Sequence, residues 1–148
     1  MILAIASGKG GTGKTTVATS LAAALSESGK SVCCLDCDVE APNAGLFLRP
    51  IFDQQKQAEL LIPEVNADLC TGSGRCAEVC EFHAIVRLGS KTLVFPELCH
   101  GCGSCTLVCP EQAITEIPKS VGILESGLTN SGIQFARGVL NVGEPMAV

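Results

Sequence analysis

Hydrophobic positions change period along this chain, and each period predicts a different element. Ile2 to Ala6 form a short unbroken apolar run, of a length suited to a strand buried on both faces. From Lys14 to Ser28 the spacing becomes helical. Val17, Leu21 and Leu25 recur with Ala18, Ala22 and Ala24 around them, and Gly29 follows as a C-terminal stop. Val32 to Leu35 is again a short apolar run and predicts a second buried strand. Strand, glycine loop, helix and strand in that order predict the opening of an α/β fold with parallel strands. Further on, Val121 to Ser126 and Ile133 to Leu140 flank the turn-rich Thr129-Asn130-Ser131-Gly132, which predicts a hairpin.

The middle of the chain repeats itself. Cys70, Cys76 and Cys80 recur at Cys99, Cys105 and Cys109 with one constant offset, and Ala84-Ile85 recurs as Ala113-Ile114 at the same offset. Two copies of one small unit packed face to face account for the repeat. The chain therefore divides into residues 1–62, rich in Ala, Leu and Gly; residues 63–117, with seven of the ten cysteines; and residues 118–148, Gly-rich and strand-like.

Composition removes several classes of function. A chain of 148 residues holds one domain or two small ones. At 47% hydrophobic and 17% charged it is too apolar to be mostly disordered. Ten Lys and Arg against fifteen Asp and Glu, with no Trp or Tyr, leave no electrostatic footprint and no stacking platform for nucleic acid. No apolar stretch approaches the roughly 20 residues that cross a bilayer. Met1 to Ala6 also lack the basic start of a secretory leader. The cysteines are therefore expected in a reducing cytoplasm, where clustered ones read as metal ligands.

Gly8-Lys9-Gly10-Gly11-Thr12-Gly13-Lys14-Thr15 satisfies G-x4-G-K-[ST] between a predicted strand and a predicted helix. The glycines allow backbone N–H groups to turn inward around phosphate oxygens, and the helix that follows aims its positive end at them. In this motif Lys14 meets the β- and γ-phosphates and the Thr15 hydroxyl ligates Mg²⁺, with Thr16 completing the loop. The bland alternative is a glycine turn that joins strand to helix.

Cys99-x2-Cys102-x2-Cys105-x3-Cys109-Pro110 matches the bacterial ferredoxin run, in which the fourth cysteine serves the other cluster of a pair. Crossing the fourth ligands assigns Cys80, Cys99, Cys102 and Cys105 to one 4Fe–4S cluster, and Cys70, Cys76 and Cys109 to a second. Zinc is the runner-up metal, though its structural sites use two separated cysteine pairs. The second set has Ser73 where the first has Cys102, and Glu81 stands where the other copy has Pro110. A hydroxyl starts about 7 pKa units above a thiol, a deprotonation handicap on the order of 10 kcal/mol. The second cluster is accordingly expected as 3Fe–4S, or as 4Fe–4S with one labile iron. Cys33, Cys34 and Cys37 lack ligand spacing and read as small buried hydrophobes. His83 reads as a surface loop residue. His100 adjoins a ligand and could tune it by a hydrogen bond, but the favoured reading is a solvated side chain.

The form K-G-G-T-G-K-T-T resembles the deviant Walker A loop of the MinD/ParA/Mrp P-loop ATPases, here with an inserted two-cluster ferredoxin domain. The resemblance runs from the loop through Gly143-Glu144-Pro145. It implies a partial P-loop core of α/β class with an inserted α+β ferredoxin-like module. It also implies that Lys9 reaches across a nucleotide-sandwiched homodimer to the partner's phosphates. Asp38, in the segment matching switch I, would hold the attacking water and the Mg²⁺ shell with Asp36 beside it; alternatively Asp36 satisfies nearby backbone donors. The expected cofactors are ATP with Mg²⁺ and the two clusters, serving an unidentified redox partner protein. The expected function is ATP binding and hydrolysis coupled to electron transfer. The alternatives are a ferredoxin-like carrier with a P-loop remnant and an iron–sulfur assembly carrier. The D-x-P-P-G segment of switch II does not occur in the chain, so a fragment or half of a split protein is expected, with an exposed sheet face and edge.

Overall fold

The computed structural model describes residues 1–144; residues 145–148 of the predicted third part, Pro145 among them, lie outside the described residues. The elements in chain order are α1 (Lys14–Glu27), β1 (Cys33–Asp36), α2 (Ala44–Leu48), β2 (Ile51–Val65), α3 (Arg75–Val79), β3 (Ile85–Leu88), β4 (Lys91–Val94), α4 (Ser104–Leu107), β5 (Ile114–Leu128) and β6 (Gln134–Leu140). A short 3-10 turn, Pro96–Leu98, precedes α4. The class is mixed α/β. A four-stranded sheet has the order β1-β6-β5-β2, and β3 pairs with β4 separately. Two compact units result. One comprises Met1–Ala58 with Gly122–Val142; the other comprises Glu59–Val121 with Gly143 and Glu144.

In the first unit, helix α1 matches the predicted boundaries closely. Gly13 enters it with φ of 89°, and Ser28 closes it by donating its N–H to Ala24 O at 3.1 Å. Gly29, with φ of 74°, completes the left-handed stop that glycine adopts without a Cβ penalty. The buried side is narrower than the apolar spacing predicted. Thr19 and Ala22 are buried, whereas Val17 is 56% exposed.

The predicted hairpin is formed, with a longer first strand. β5 and β6 pair antiparallel from Gly122↔Leu140 to Leu128↔Gln134. The turn is held by Thr129, whose Oγ1 accepts the Ile133 N–H at 3.0 Å. β6 also pairs parallel with β1, from Cys33↔Gln134 to Asp36↔Arg137, so the sheet is mixed rather than all parallel. Phe135 on β6 is almost fully buried; its ring meets Phe52 edge-on at 6.1 Å. Arg137 lies 4.6 Å over the Phe52 ring and pairs with Glu125 at 2.7 Å.

Two expectations fail here. Ile2 to Ala6 are in no strand, and Ile2 is 97% exposed. A strand needs a neighbour to take its backbone N–H and C=O groups; among the described residues none lies beside this run, so apolar composition alone does not order it. β1, in turn, lies at one end of the sheet with alternating exposed and half-buried residues. Cys33 and Cys37 are therefore exposed and Cys34 only half-buried, not the core hydrophobes expected.

In the second unit the internal repeat is carried by the backbone. α3 and α4 begin at equivalent positions of the two copies, each after a glycine with positive φ, Gly74 at 87° and Gly103 at 72°. Ala84 O accepts the Phe95 N–H at 2.7 Å, and Ala113 O accepts the Asn66 N–H at 2.8 Å. His83 and Gln112 share an unusual positive φ, 52° and 50°. The apolar core is Cys76, Ile85 and Ile114, with Val65 and Val94 packed against it. The repeat thus preserves local turns and hydrogen bonds as well as residue types.

Candidate functional site

The glycine loop leads from Ser7 into α1, and it is built around hydroxyl groups. Ser7 Oγ and Thr12 Oγ1 lie 2.6 Å apart, and Ser7 Oγ donates to Lys9 O at 2.9 Å. Lys14 Nζ donates to Ser7 Oγ at 3.3 Å. The ammonium of Lys14 is thereby held back over the loop by a neutral hydroxyl, a partner that an anionic phosphate oxygen would outcompete. Gly11, with φ of 75°, and Gly13 supply the left-handed turns. Gly8, Gly10 and Gly11 are exposed, and an added Cβ at any of them meets nothing within 4 Å, so the amide surface is open to a ligand. Lys9 and Thr16 are also exposed.

Thr15 is tied to a distant part of the chain, because its Oγ1 donates to Asn43 Oδ1 at 2.8 Å. Asn43 belongs to the segment that starts at Asp36. Asp36 itself accepts the Ala44 N–H at 2.9 Å and the Asp38 N–H at 3.2 Å. Its carboxylate therefore organises the turn into α2 by satisfying backbone donors. Asp38 is exposed, and its carbonyl accepts from Ala41 N–H at 3.2 Å. Ser7 and Asn43 were not singled out as loop contacts by sequence reasoning. Ser7 immediately precedes the glycine motif and could have been noticed; Asn43, beyond both α1 and β1 from Thr15, carries no local signal.

The seven cysteines of the repeat line two cavities. Cys80, Cys99, Cys102 and Cys105 line the first, with Phe82 and His100. Cys70, Cys76 and Cys109 line the second, with Ser73, Thr92 and Glu111. Each cavity therefore draws cysteines from both copies of the repeat. One sulfur in each is also met by a backbone donor, Gly101 N–H to Cys99 Sγ at 3.4 Å and Ala113 N–H to Cys109 Sγ at 3.3 Å. Burial pushes the Cys76 and Cys105 thiols up, whereas the hydrogen bond with Ser104, 3.4 Å away, brings the exposed Cys102 down. Among the described residues these side chains do not already converge as a ligand set for a single metal ion. Four thiols around one cavity do suit the soft donor set of an iron–sulfur cluster, whose several irons are bound one thiolate each; three thiols and a serine suit it less completely.

The rims of the two cavities differ. His100 is half-buried and stacks on Phe82 with ring centroids 3.7 Å apart, which corrects the expectation of a solvated side chain. An apolar ring face beside it excludes water from one side of the imidazole. His83 is exposed, as a surface loop residue should be.

The glycine loop that runs into α1 has the open-amide form of a P-loop. A family model described as the CobQ/CobB/MinD/ParA nucleotide binding domain matches residues 3–142, and the chain belongs to that family. An uncharacterized protein of Methanocaldococcus jannaschii is 44% identical over 90 residues, covering 57% of this chain and 30% of the relative. An uncharacterized ATP-binding protein of the same organism is 47% identical over 57 residues, 38% of this chain and 20% of its own. An iron–sulfur cluster carrier protein of Synechocystis is 53% identical over 47 residues, 32% of this chain and 13% of its own. The chain thus spans less than a third of the length of these relatives. Among the described residues no helix is long and apolar enough to cross a membrane.

Proposed function

We propose that this chain binds ATP with Mg²⁺ through residues 8–16 and carries two ferredoxin-type clusters in an inserted module, coupling nucleotide binding and hydrolysis to electron transfer. The observation that carries the proposal is the division of seven cysteines between two cavities, each drawing on both copies of the repeat. That division is what a shared pair of clusters requires, since the fourth cysteine of each run serves the opposite centre. Cys80, Cys99, Cys102 and Cys105 would hold a 4Fe–4S cluster. Cys70, Cys76 and Cys109, with Ser73 in the fourth slot, would hold a 3Fe–4S or labile 4Fe–4S cluster. Bound clusters supply one-electron chemistry.

The chain's own groups divide the nucleotide work. Backbone amides of Gly10 to Lys14 would cradle phosphate oxygens, and Lys14 would leave Ser7 for the β- and γ-phosphates. Thr15 would offer its oxygen to Mg²⁺ while its proton stays on the bond to Asn43. Lys9 would reach the phosphates of a second copy across a homodimer, and Asp38 would orient water near the Mg²⁺ shell. The electrons would pass to a separate redox partner protein in the cytoplasm.

Purification without air tests the proposal. The expected chain is brown, holds about seven to eight irons, and binds Mg-ATP with an affinity that Lys14→Ala removes. A colourless chain indifferent to adenine nucleotides overturns it. A second reading, iron–sulfur assembly carrier, is favoured by the three-thiol cavity and by relatives named iron–sulfur cluster carrier proteins. It expects transfer of iron and sulfide to an apo-acceptor, which the electron-transfer reading does not.

A further inference from the structure

The repeat allows the two cavities to be compared position by position, and two of its substitutions are complementary. At the fourth slot, Cys102 of the first cavity is replaced by Ser73 in the second. One soft anionic donor is lost. On the rim, Phe82 of the first cavity is replaced by its repeat counterpart Glu111. A carboxylate takes the place of an aromatic ring at that position, whereas the carboxylate lining the first cavity, Glu116, comes from another position of the repeat. The rim partners change with them. Phe82 stacks on His100, whereas Glu111 Oε1 accepts the hydroxyl of Thr71, the repeat counterpart of His100, at 2.6 Å.

We infer that Glu111 is a metal ligand of the second cavity, holding a divalent cation beside Cys70, Cys76 and Cys109 in the place that the Cys102 thiolate serves in the first. This rests on the iron–sulfur reading of that cavity, and the cation is the exchangeable fourth iron or a divalent substitute such as Co²⁺. Of the three oxygen-bearing side chains that line it, Ser73 and Thr92 present hydroxyls and Glu111 alone presents a carboxyl group with two oxygens. Thr71 occupies Oε1 and fixes the carboxylate; among the described residues Oε2 has no hydrogen-bond or ion-pair partner. Carboxylate oxygen suits the harder divalent ions, whereas thiolate suits the softer ones. The second cavity is then a site where one metal ion exchanges while three thiolates stay in place.

The experiment uses the whole chain reconstituted without air, stripped of labile iron by a mild chelator, reduced with dithionite, which supplies the one electron that the four-metal cluster holds beyond the oxidised three-iron form, and titrated separately with Fe²⁺ and Co²⁺. Metal uptake is read together with the electron paramagnetic resonance of the oxidised three-iron form, recorded before reduction and again after reoxidation. The wild-type chain is expected to take up one ion and lose that signal. Glu111→Gln keeps an acceptor for Thr71 but loses the charge, and is expected to weaken uptake at least tenfold. Ser73→Cys in the Glu111→Gln background is expected to restore it. Thr71→Val, which keeps the carboxylate, is expected to stay within about threefold of wild type. Unchanged affinity in Glu111→Gln, with the three-iron signal present in both chains, overturns the inference alone. A wild-type chain with no iron in the second cavity overturns the iron–sulfur reading and this inference with it.

Discussion

Thr15 Oγ1 donates its proton to Asn43 Oδ1 across 2.8 Å, joining the first turn of α1 to the segment that follows β1. The bond leaves the lone pairs of the threonine oxygen directed away from Asn43. It also links the glycine loop to the turn that Asp36 organises.

Asn43→Ala is expected to weaken nucleotide binding only when Mg²⁺ is present. Losing one hydrogen bond of about 1 kcal/mol corresponds to about a fivefold loss of affinity. Calorimetric titration of ATP with and without Mg²⁺ measures it, and an equal loss in both conditions contradicts the assignment.

Alkylation of the metal-free chain reads the cysteine environments. The hydrogen bond with Ser104 lowers the Cys102 pKa, so near neutral pH more of it is thiolate, the reactive form. Burial raises Cys76 and Cys105, which stay protonated to higher pH. Iodoacetamide at neutral pH is therefore expected to label Cys102 first, by mass mapping, and Cys76 and Cys105 late. Raising the pH narrows the gap, because Cys76 and Cys105 then ionise as well. Ser104→Ala is expected to slow Cys102.

Glycines with similar backbone angles are expected to differ in tolerance. Gly72 has φ of 70°, and an added Cβ would lie 2.9 Å from the Ser90 carbonyl oxygen. Gly89 has φ of 64° with nothing within 4 Å. Gly89→Ala should cost about 1–2 kcal/mol for the left-handed backbone alone. Gly72→Ala should cost at least about 3 kcal/mol, because the obstacle is backbone and cannot rotate away. Urea denaturation of the two variants provides the comparison.

Phe135→Ala is expected to destabilise the chain by about 3–5 kcal/mol, the range for emptying a buried aromatic site. Phe135 is 1% exposed and contacts Phe52, over which Arg137 lies. Phe135→Leu should recover much of the loss, as thermal unfolding would show. Similar melting of the alanine and leucine variants would mean that the site collapses around the missing ring.

Local physics was legible in the residues themselves. Glycine chemistry and helical spacing set the limits of α1, and the turn residues Thr129 to Gly132 announced the β5–β6 hairpin. The constant offset between the two cysteine sets announced two copies of one unit, and the copies form paired helices and turns because both meet the same steric rules. Long-range partnership decided the rest. Ile2 to Ala6 have strand composition, but a strand exists only where another chain segment takes its hydrogen bonds, and here none is described. The exposure of Cys33 follows from the place of β1 at the end of the sheet, which no local pattern encodes. Likewise Asn43 reaches Thr15, and Glu111 shares a cavity with Ser73, only once the folded backbone brings together residues far apart in the chain.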